Sequence, residues 1–349
     1  MSELQTGLAL LGAALIVGIF VFSRIQEYRY RRMAEQVLPD PGRDALMDDD
    51  APAVRSEPGF SEPESGLPGL SGLPETPAPD SAVEFTVLLR GSSPATAAQL
   101  WQALVTAAVT TRHVRWVGLE AAAGRWSAIE GPSEHRFDLF AAMLQLASRS
   151  GPVNESRLAL FSDEMQAVAR ELQWTAESAD QQAALATAEA LDRFCAKVDV
   201  LIGMNVMFAE GREPPAKQVR ERAEREGLAL GQDGVFHAYD DLQRTRFTLA
   251  HRDGMPFLDM EEDFTPVPGV TFLLDVPRVP DAHTALTDMF AMADRLAQGL
   301  GGRLVDDNGA ALGPRQLVAI QKQLSGILQQ MDKQGVPAGS ELALRLFSN

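Results

Sequence analysis

Histidine side chains are the commonest metal ligands in proteins, and zinc sites need them at short, fixed spacings. Such spacings let one loop or one helical turn present two ligands together. The five histidines of this chain show no such spacing; they are His113, His135, His237, His251 and His283. The sequence therefore predicts no metal site, and each ring is expected to be an ordinary core or surface residue.

The other residues of chemical interest also lack the partners that catalysis needs. Cys195 lies on the apolar side of a predicted helix, beside Leu191 and Phe194, which favours a core position over a nucleophile. The glycines at 299, 301 and 302 follow no strand, so they do not form a dinucleotide-binding turn. The run from Asp306 to Gly309 is typical of a turn and has too few oxygen ligands for a calcium loop. No phosphate-binding, hydrolase or metalloprotease motif occurs, so we predict neither an enzyme nor a cofactor.

The composition limits the class of protein and its partners. The chain has 349 residues, of which 45% are apolar, and a net charge of −17. This apolar share is normal for a folded protein with a core. Because the phosphate backbone repels a strongly acidic chain, nucleic acid is not expected as a partner.

Residues 4–23 carry no charge and are mostly leucine, alanine, glycine, isoleucine, valine and phenylalanine. A helix of this length spans about 30 Å, the thickness of the hydrocarbon layer. Glu3 precedes the stretch, and the positive charges follow it at Arg24, Arg29, Arg31 and Arg32. A cleaved signal peptide has the opposite order. The pattern predicts a single transmembrane anchor in contact with the lipid bilayer, with the rest of the chain cytoplasmic and the N-terminus on the opposite side of the membrane.

Residues 24–82 begin with this basic segment and continue as a proline-rich, acidic stretch with few aromatic or β-branched residues. Such a composition cannot bury enough apolar surface to offset its ordering entropy, so a disordered linker is predicted. As a flexible coil, a linker of this size would reach about 40 Å, and as a stretched polyproline helix roughly 150 Å.

The folded body is predicted to begin near residue 83. In residues 83–196, strands are expected at Glu84–Leu89, Val114–Leu119, Trp126–Ile129 and Arg157–Phe161, helices at Ala95–Ala108, Ser162–Leu172 and Asp180–Ala196, and either at Phe137–Leu146. The order of elements in this extra α/β module partly resembles the order in residues 197–333, which suggests a degenerate duplication.

Residues 197–333 show a clearer pattern of strands and helices. Strands are predicted at Asp199–Phe208, Val235–Ala238, Arg244–His251, Val270–Val276 and Arg303–Val305, and helices after Pro215, Asp281 and Pro314. Asp281 is expected to cap its helix, and Gly301 and Gly302 to end it. The order β-α-β-β-β-α-β-α predicts an α+β fold, an antiparallel sheet with helices on one face, or split β-α-β sandwich. Residues 334–349 form an additional C-terminal tail.

Three segments of this body resemble the ZipA family of bacterial division proteins. They are Met204-Asn205-Val206, the stretch from Thr265 to Pro277 (TPVPGVTFLLDVP) and the stretch from Gly301 to Leu317 (GGRLVDDNGAALGPRQL). The resemblance covers the anchor and about residues 197–333, and leaves residues 83–196 unmatched. It implies an adaptor in the inner membrane, at the division septum, that binds the C-terminal tail of FtsZ in an apolar cleft on the sheet face without helices.

Strand alternation then assigns the positions on each face of the sheet. The helix side is expected to hold Val200, Ile202, Met204, Val206, Phe236, Phe247, Leu249, Val270, Phe272 and Leu274. The cleft is expected to be lined by Leu201, Gly203, Asn205, Val235, Ala250, Arg252, Thr271, Leu273 and Asp275. Asp233, Arg252 and Gly203 depart from the family's more apolar cleft, so a shallower and more polar site is expected. Two alternatives follow: the peptide binds in a different manner, or Arg252 pairs with an acidic residue of the tail.

Two other functions stay open at the level of sequence. The first is an adaptor for a different envelope or division protein, with the contacts made by residues 83–196. The second is an RNA-binding module, because the same sandwich binds RNA on its sheet face. The acidic charge, and the lack of exposed aromatic residues on the central strands, argue against RNA.

Overall fold

A computed structural model of the chain describes residues 79–107, 114–120, 124–258 and 264–348. The predicted anchor at 4–23 and nearly all of the predicted linker at 24–82 lie outside these residues. In the described ranges, no helix has both the length and the apolar character that a membrane span requires. The chain divides into two compact units between Arg193 and Phe194. We call them the N-terminal unit and the C-terminal unit.

The N-terminal unit is a five-stranded antiparallel sheet with helices on one face. Its elements are β1 (Glu84–Thr96), α1 (Ala97–Thr106), β2 (Val114–Glu120), β3 (Arg125–Ala128), β4 (Arg136–Gln145), the short pair β5 (Ala147–Ser148) and β6 (Gly151–Pro152), α2 (Glu155–Glu171) and β7 (Thr175–Ser178). The helix α3 (Gln181–Val198) begins in this unit and continues past the boundary at Arg193. The strand order in the sheet is β3-β2-β4-β1-β7. Phe85, Phe140 and Phe161 lie in the core between the sheet and the helices.

One sequence prediction in this unit is wrong, and one ambiguity is resolved. Arg157–Phe161 was expected to be a strand but belongs to α2. Asn154 caps this helix by accepting the Arg157 N–H at 2.8 Å. Leu158, Phe161 and Met165 are buried at helical spacing, so tertiary packing selects the helix over the local strand pattern. The segment Phe137–Leu146, for which the sequence allowed a strand or a helix, forms the strand β4.

A buried ion pair joins β1 and β2 of the N-terminal unit. The Arg115 Nε and Nη2 donate to Glu84 Oε1 and Oε2, each at 3.0 Å. The Glu84 side chain has no exposed surface, and the backbone N–H of Asp80 also donates to its Oε2 at 3.2 Å. The pair satisfies a carboxylate that would be costly to bury alone.

Replacing Arg115 by methionine is therefore expected to destabilise the N-terminal unit by about 3 kcal/mol, because Glu84 loses its counter-ion. All four tryptophans of the chain lie in this unit, at Trp101, Trp116, Trp126 and Trp174. Tryptophan fluorescence during urea unfolding measures the change. The matched control is Arg125→Met, which removes an exposed pair with Glu120 and is expected to cost less than about 1 kcal/mol. Equal midpoints for the two variants would contradict the assignment.

The C-terminal unit confirms the predicted order of elements. These are β8 (Leu201–Met207), α4 (Ala216–Arg225), β9 (Ala229–Leu230), β10 (Phe236–Tyr239), β11 (Thr245–His251), β12 (Gly269–Asp275), a 3-10 turn (Val276–Arg278), α5 (Ala282–Leu300), β13 (Arg303–Val305), α6 (Pro314–Lys333) and α7 (Glu341–Leu346). The antiparallel sheet has the order β13-β8-β12-β11-β10-β9. The two-residue strand β9 and the helix α7 were not predicted.

The helices of the C-terminal unit pack on one face of its sheet. Nine of the ten residues predicted for the helix side are buried in this core: Ile202, Met204, Val206, Phe236, Phe247, Leu249, Val270, Phe272 and Leu274. Val200 is partly buried against it. Gly301 ends α5 as predicted, in a left-handed conformation with φ of 71°. Asp281 stands at the N-cap position of α5, as predicted, but its side chain makes no capping hydrogen bond.

The C-terminal tail packs onto the C-terminal unit. In α7 and the residue after it, Leu346 and Phe347 have no exposed surface. The Gly339 N–H donates to the Pro277 carbonyl at 2.8 Å. A Cβ on Gly339 would lie 2.3 Å from the Pro280 nitrogen, so only glycine fits this approach. A fragment that ends at residue 333 would therefore expose part of the core.

Candidate functional site

The predicted cleft residues of β8 and β12 lie together on the face of the C-terminal sheet opposite its helices. We call this face, within the C-terminal unit, the helix-free face. The strand register pairs Leu201 with Asp275, Gly203 with Leu273, and Asn205 with Thr271. Strand alternation places these six positions, five of which carry a side chain, on the same side, because their neighbours in sequence fill the core.

The remaining predicted residues extend this face toward β10 and β11. Ala250 of β11 pairs with Thr271. Arg252 directly follows β11, is exposed, and donates its backbone N–H to the Gly269 carbonyl at 3.1 Å. Val235 is half-buried and directly precedes β10, whose Phe236 pairs with Leu249. Alternation also brings Met207, Thr248 and His237 to this face, although they were not among the predicted cleft residues.

A chain of polar side chains crosses the middle of the helix-free face. The Thr271 hydroxyl donates to Asn205 Oδ1 at 2.7 Å, and Asn205 Nδ2 donates to Asp307 Oδ1 at 2.8 Å. Asn205 and Thr271 are each only 6% exposed. Because buried amides and hydroxyls are costly without partners, these bonds fix the Asn205 side chain in one orientation.

Asp307 was not predicted as a site residue, since it lies in the turn after β13. The turn itself is confirmed: Asp306 Oδ1 accepts the N–H groups of Asn308 and Ala310 at 2.9 and 2.8 Å. Alternation along a strand cannot identify a residue that reaches the sheet from a turn. The only signal in the sequence is the pair of adjacent aspartates, of which Asp306 satisfies the turn and Asp307 points to the face.

The pKa of the Asp307 carboxyl is raised above its ordinary value. Partial removal from water is the main cause, and the nearby Asp306 adds to it. The hydrogen bond from Asn205 and the charge of Arg252 act in the opposite direction. Although the residue as a whole is exposed, its carboxylate therefore lies against the protein surface, where a charge is less well solvated.

Gly203 forms the floor between the polar and apolar parts of the face. A Cβ at this position would lie 3.6 Å from Leu273 Cδ2 and 3.7 Å from Asp307 Oδ1. Leu201 and Leu273 are half-buried on one side of this point. On the other side, Arg252 Nη1 contacts Met207 Sδ at 2.8 Å. The face thus combines apolar contacts at Leu201 and Leu273 with charged groups at Asp275, Asp307 and Arg252.

Asp233, which was expected near the cleft, contacts the ring of His237. His237 Nε2 lies 3.0 Å from Asp233 Oδ2, and the His237 ring stacks on Tyr239 with 5.6 Å between ring centroids. Because alternation also places His237 on the helix-free face, both Asp233 and Asp307 contribute to the polarity of this face.

His251 is a buried histidine on the core side of β11, and it predicts a pH dependence. Its Nδ1 accepts the Asp253 N–H at 3.1 Å, whereas its Nε2 has no hydrogen-bond partner among the described residues. Burial lowers the pKa of this imidazole below its ordinary 6.5, although the charge of Asp253 acts against the shift. The unfolded state therefore takes up a proton first as the pH falls.

The stability of the C-terminal unit is expected to be constant above the ordinary histidine pKa and to fall below it, by up to about 1.4 kcal/mol per pH unit. Urea unfolding followed by far-ultraviolet circular dichroism between pH 8 and pH 5.5 measures the slope. His251→Phe is expected to flatten it, and His283→Phe, at an exposed site, to leave it unchanged. Parallel slopes in wild type and His251→Phe would contradict the prediction.

The chemistry of the helix-free face is that of binding. Its side chains offer apolar contact, the amide of Asn205, the hydroxyls of Thr248 and Thr271, the carboxylates of Asp275 and Asp307, and the guanidinium of Arg252, without a nucleophile placed beside a base. Within the described part of the chain, no group of three or more histidine, cysteine or acidic side chains is placed to hold a metal ion. Cys195 is buried, in keeping with a core position.

Comparison with known proteins points to the same unit. Residues 200–323 match the family model described as ZipA, C-terminal FtsZ-binding domain. Similar proteins include those named cell division protein ZipA from two strains of Vibrio cholerae serotype O1, each 28% identical over 133 residues. The similarity covers 37% of this chain and 45% of each relative, so the chain matches a little less than half of their length. The range matched by the family model contains all nine predicted cleft residues.

Proposed function

We propose that the chain is a cell-division protein that binds FtsZ, because residues 200–323 match the family model described as ZipA, C-terminal FtsZ-binding domain. The C-terminal peptide of FtsZ lies on the helix-free face, in contact with the side chains predicted to line the cleft. The observation that carries this proposal is the coincidence of the matched range with the unit whose sheet has one face without helices.

The physical character of the face suits an extended peptide. Leu201 and Leu273 are half-buried, so covering them removes further apolar surface from water. Arg252 is exposed at the other end, where it pairs with an acidic residue of the peptide. Binding by a few apolar anchors and a charged rim is typical of peptide recognition in a groove.

The proposed role is that of a non-enzymatic adaptor between FtsZ and the inner membrane. Residues 4–23 form the membrane anchor, and residues 24–82 form a linker that absorbs changes in distance. Each FtsZ subunit of a polymer presents the same tail, so many weak contacts act together. Attachment then becomes strong without a high affinity at any single site.

The experiment that tests this proposal is fluorescence anisotropy of a labelled FtsZ C-terminal peptide from the same organism. It is titrated with residues 79–349 and, separately, with residues 194–349, which retain the packed helix α7. Saturable binding by both supports a site on the C-terminal unit. Binding by neither would refute the proposed function, and binding by the shorter piece alone would mean that residues 79–193 block the face.

A second candidate function is favoured by the N-terminal unit, which has its own core and lies outside the family match. The face of its sheet opposite the helices holds a separate apolar cluster that includes Leu88, Val117 and Trp126. The alternative is an adaptor whose contacts to a different envelope or division protein are made by this unit. A pull-down with residues 79–193, set beside one with residues 194–349, separates the two functions by the partner that each recovers.

A further inference from the structure

We propose that Asp307 is a specificity-determining residue of the helix-free face and that it pairs with a basic side chain, lysine or arginine, of the bound peptide. This inference rests on the proposed function, since it assigns a chemical character to the peptide that binds there. It goes beyond the cleft residues derived from strand alternation, because Asp307 lies in the turn between β13 and α6.

The position of the Asp307 carboxylate is fixed from two sides. Asp306 uses its own carboxylate to close the turn, which leaves the next side chain free to reach the sheet. There Asn205 Nδ2 holds Asp307 Oδ1 at 2.8 Å, and the Thr271 hydroxyl holds Asn205 in turn. A preorganised acceptor of this kind loses little entropy when a ligand binds.

The carboxylate has an unused oxygen. Asn205 donates to Oδ1 alone, and within the described ranges no basic side chain lies within salt-bridge distance of Asp307. A peptide that covered Asp307 with apolar side chains would take water from this oxygen without replacing it, which is costly for an ionised group. A basic side chain restores the interaction as a charge-assisted hydrogen bond.

The surroundings of Asp307 match the shape of a lysine or an arginine. Leu273 Cδ2 and Asp307 Oδ1 lie at 3.6 and 3.7 Å from the position of a Cβ on Gly203, so an apolar surface and a carboxylate flank one small residue. The methylene stem of a basic side chain packs against Leu273, and its charged head reaches Asp307. A branched side chain in place of Gly203 would fill this space.

Among the described residues, Arg252 is the basic side chain whose charge acts on Asp307, and it forms no ion pair with that carboxylate. Its guanidinium contacts the sulfur of Met207, and its charge acts on Asp307 at longer range. Arg252 and Asp307 thus present a positive and a negative site on one face. Together they fix the direction of a peptide that carries an acidic residue and a basic residue.

The test combines a variant of the full-length chain, in detergent, with variants of the labelled FtsZ peptide. Asp307→Asn keeps the size of the side chain and removes its charge, and it is expected to weaken binding about tenfold. In the peptide, each lysine and arginine is replaced singly by norleucine. One of these replacements is expected to weaken binding to wild type about tenfold and to have no further effect on Asp307→Asn. Asp332→Asn, an exposed aspartate on α6, is the matched control and leaves binding unchanged.

The pH dependence of peptide binding is a second readout. Its sign differs between a basic and an apolar residue of the peptide at Asp307. Pairing with a cation needs ionised Asp307, so binding by wild type weakens as the pH falls through the carboxyl range. The charged and titratable groups that act on this carboxyl are Asp306 and Arg252. A peptide with an apolar residue at Asp307 would instead bind more tightly at low pH, because protonation removes the buried charge.

The outcomes distinguish this inference from the function on which it rests. Failure of wild type to bind the FtsZ peptide refutes the proposed function. If wild type binds and Asp307→Asn binds equally well or more tightly, the peptide is held at this face without a basic contact and the inference is overturned. Equal urea midpoints for the variant and wild type ensure that a loss of binding reflects the site.

Discussion

Replacing Leu273 by aspartate is expected to weaken binding of the FtsZ C-terminal peptide by more than about 30-fold while the C-terminal unit stays folded. Leu273 is half-buried on the helix-free face, opposite Gly203 on one side and Thr248 on the other. A carboxylate there removes an apolar anchor and requires desolvation of a charge when the peptide binds. Fluorescence anisotropy of the labelled peptide measures the effect.

Two control variants separate the causes of this loss. Leu273→Ala removes the apolar contact without a charge and is expected to weaken binding by a smaller amount, about tenfold. Leu242→Asp makes the same chemical change at a leucine that is 71% exposed in the β10–β11 hairpin, and it should leave binding intact. Unchanged binding by Leu273→Asp, with an unchanged circular dichroism spectrum, would show that the peptide does not contact this part of the sheet.

Most of the C-terminal unit could be predicted from sequence because its strands obey a simple alternation. In β12, the buried Val270, Phe272 and Leu274 alternate with Thr271, Leu273 and Asp275. The side-chain period of two then assigns every position once a single residue is placed. The predicted separation of core residues from face residues follows from this rule, and the register between β8 and β12 agrees with it.

Features that depend on contacts distant in sequence could not be predicted in this way. Asp307 reaches Asn205 across 102 positions of sequence, and no local pattern indicates that contact. Asp281 has the residue type and position of a helix cap, yet its side chain makes no capping bond. In the N-terminal unit, the apolar run at Leu158 resembles a strand when viewed alone, and only the buried positions further along α2 identify the helix.

The suggested duplication remains a prediction, and the topology of the two units is relevant to it. In each unit, the first strand of the sheet lies between the fourth strand and the last one: β1 between β4 and β7, and β8 between β12 and β13, if the short β9 is left out. The units differ at the far edge, where the second strand adjoins the fourth in one and the third adjoins it in the other. Fold similarity of this kind carries no function by itself, so the partner of the N-terminal unit must be found by experiment.

The polar chain through Asn205 also bears on the strength of binding. An apolar groove gains affinity from buried area, whereas a groove that contains a fixed amide and a carboxylate gains selectivity, because ligands without matching groups leave polar atoms unpaired. We therefore expect a modest affinity for a single peptide and strong discrimination among peptides. In the proposed function, a polymer of many FtsZ subunits would compensate for the modest affinity through repeated attachment.

Replacing Phe272 by alanine, one residue before Leu273, is expected to destabilise the fold of the C-terminal unit, whereas Leu273→Asp leaves the unit folded and changes only the site. Phe272 has no exposed surface and packs against Phe247 in the core, with 6.4 Å between ring centroids. Removal of a buried phenylalanine ring typically costs 3–5 kcal/mol, roughly, since it removes apolar contacts and leaves a cavity. The C-terminal unit should lose most of its stability, and peptide binding should disappear because the site unfolds.

The distribution of tryptophans makes this result specific to one unit. All four tryptophans lie in the N-terminal unit, so their fluorescence in urea should be the same for Phe272→Ala and wild type, while the circular dichroism transition of the C-terminal unit shifts to lower urea. Phe85→Ala, at an equally buried ring in the N-terminal unit, should shift the fluorescence transition and leave peptide binding in place. If Phe272→Ala also moves the fluorescence transition, the two units unfold together, and the expectation that they unfold independently is wrong. If it moves neither transition, Phe272 does not lie in the core. The assignment of Leu273 to the helix-free face, which rests on alternation from Phe272, is then also wrong.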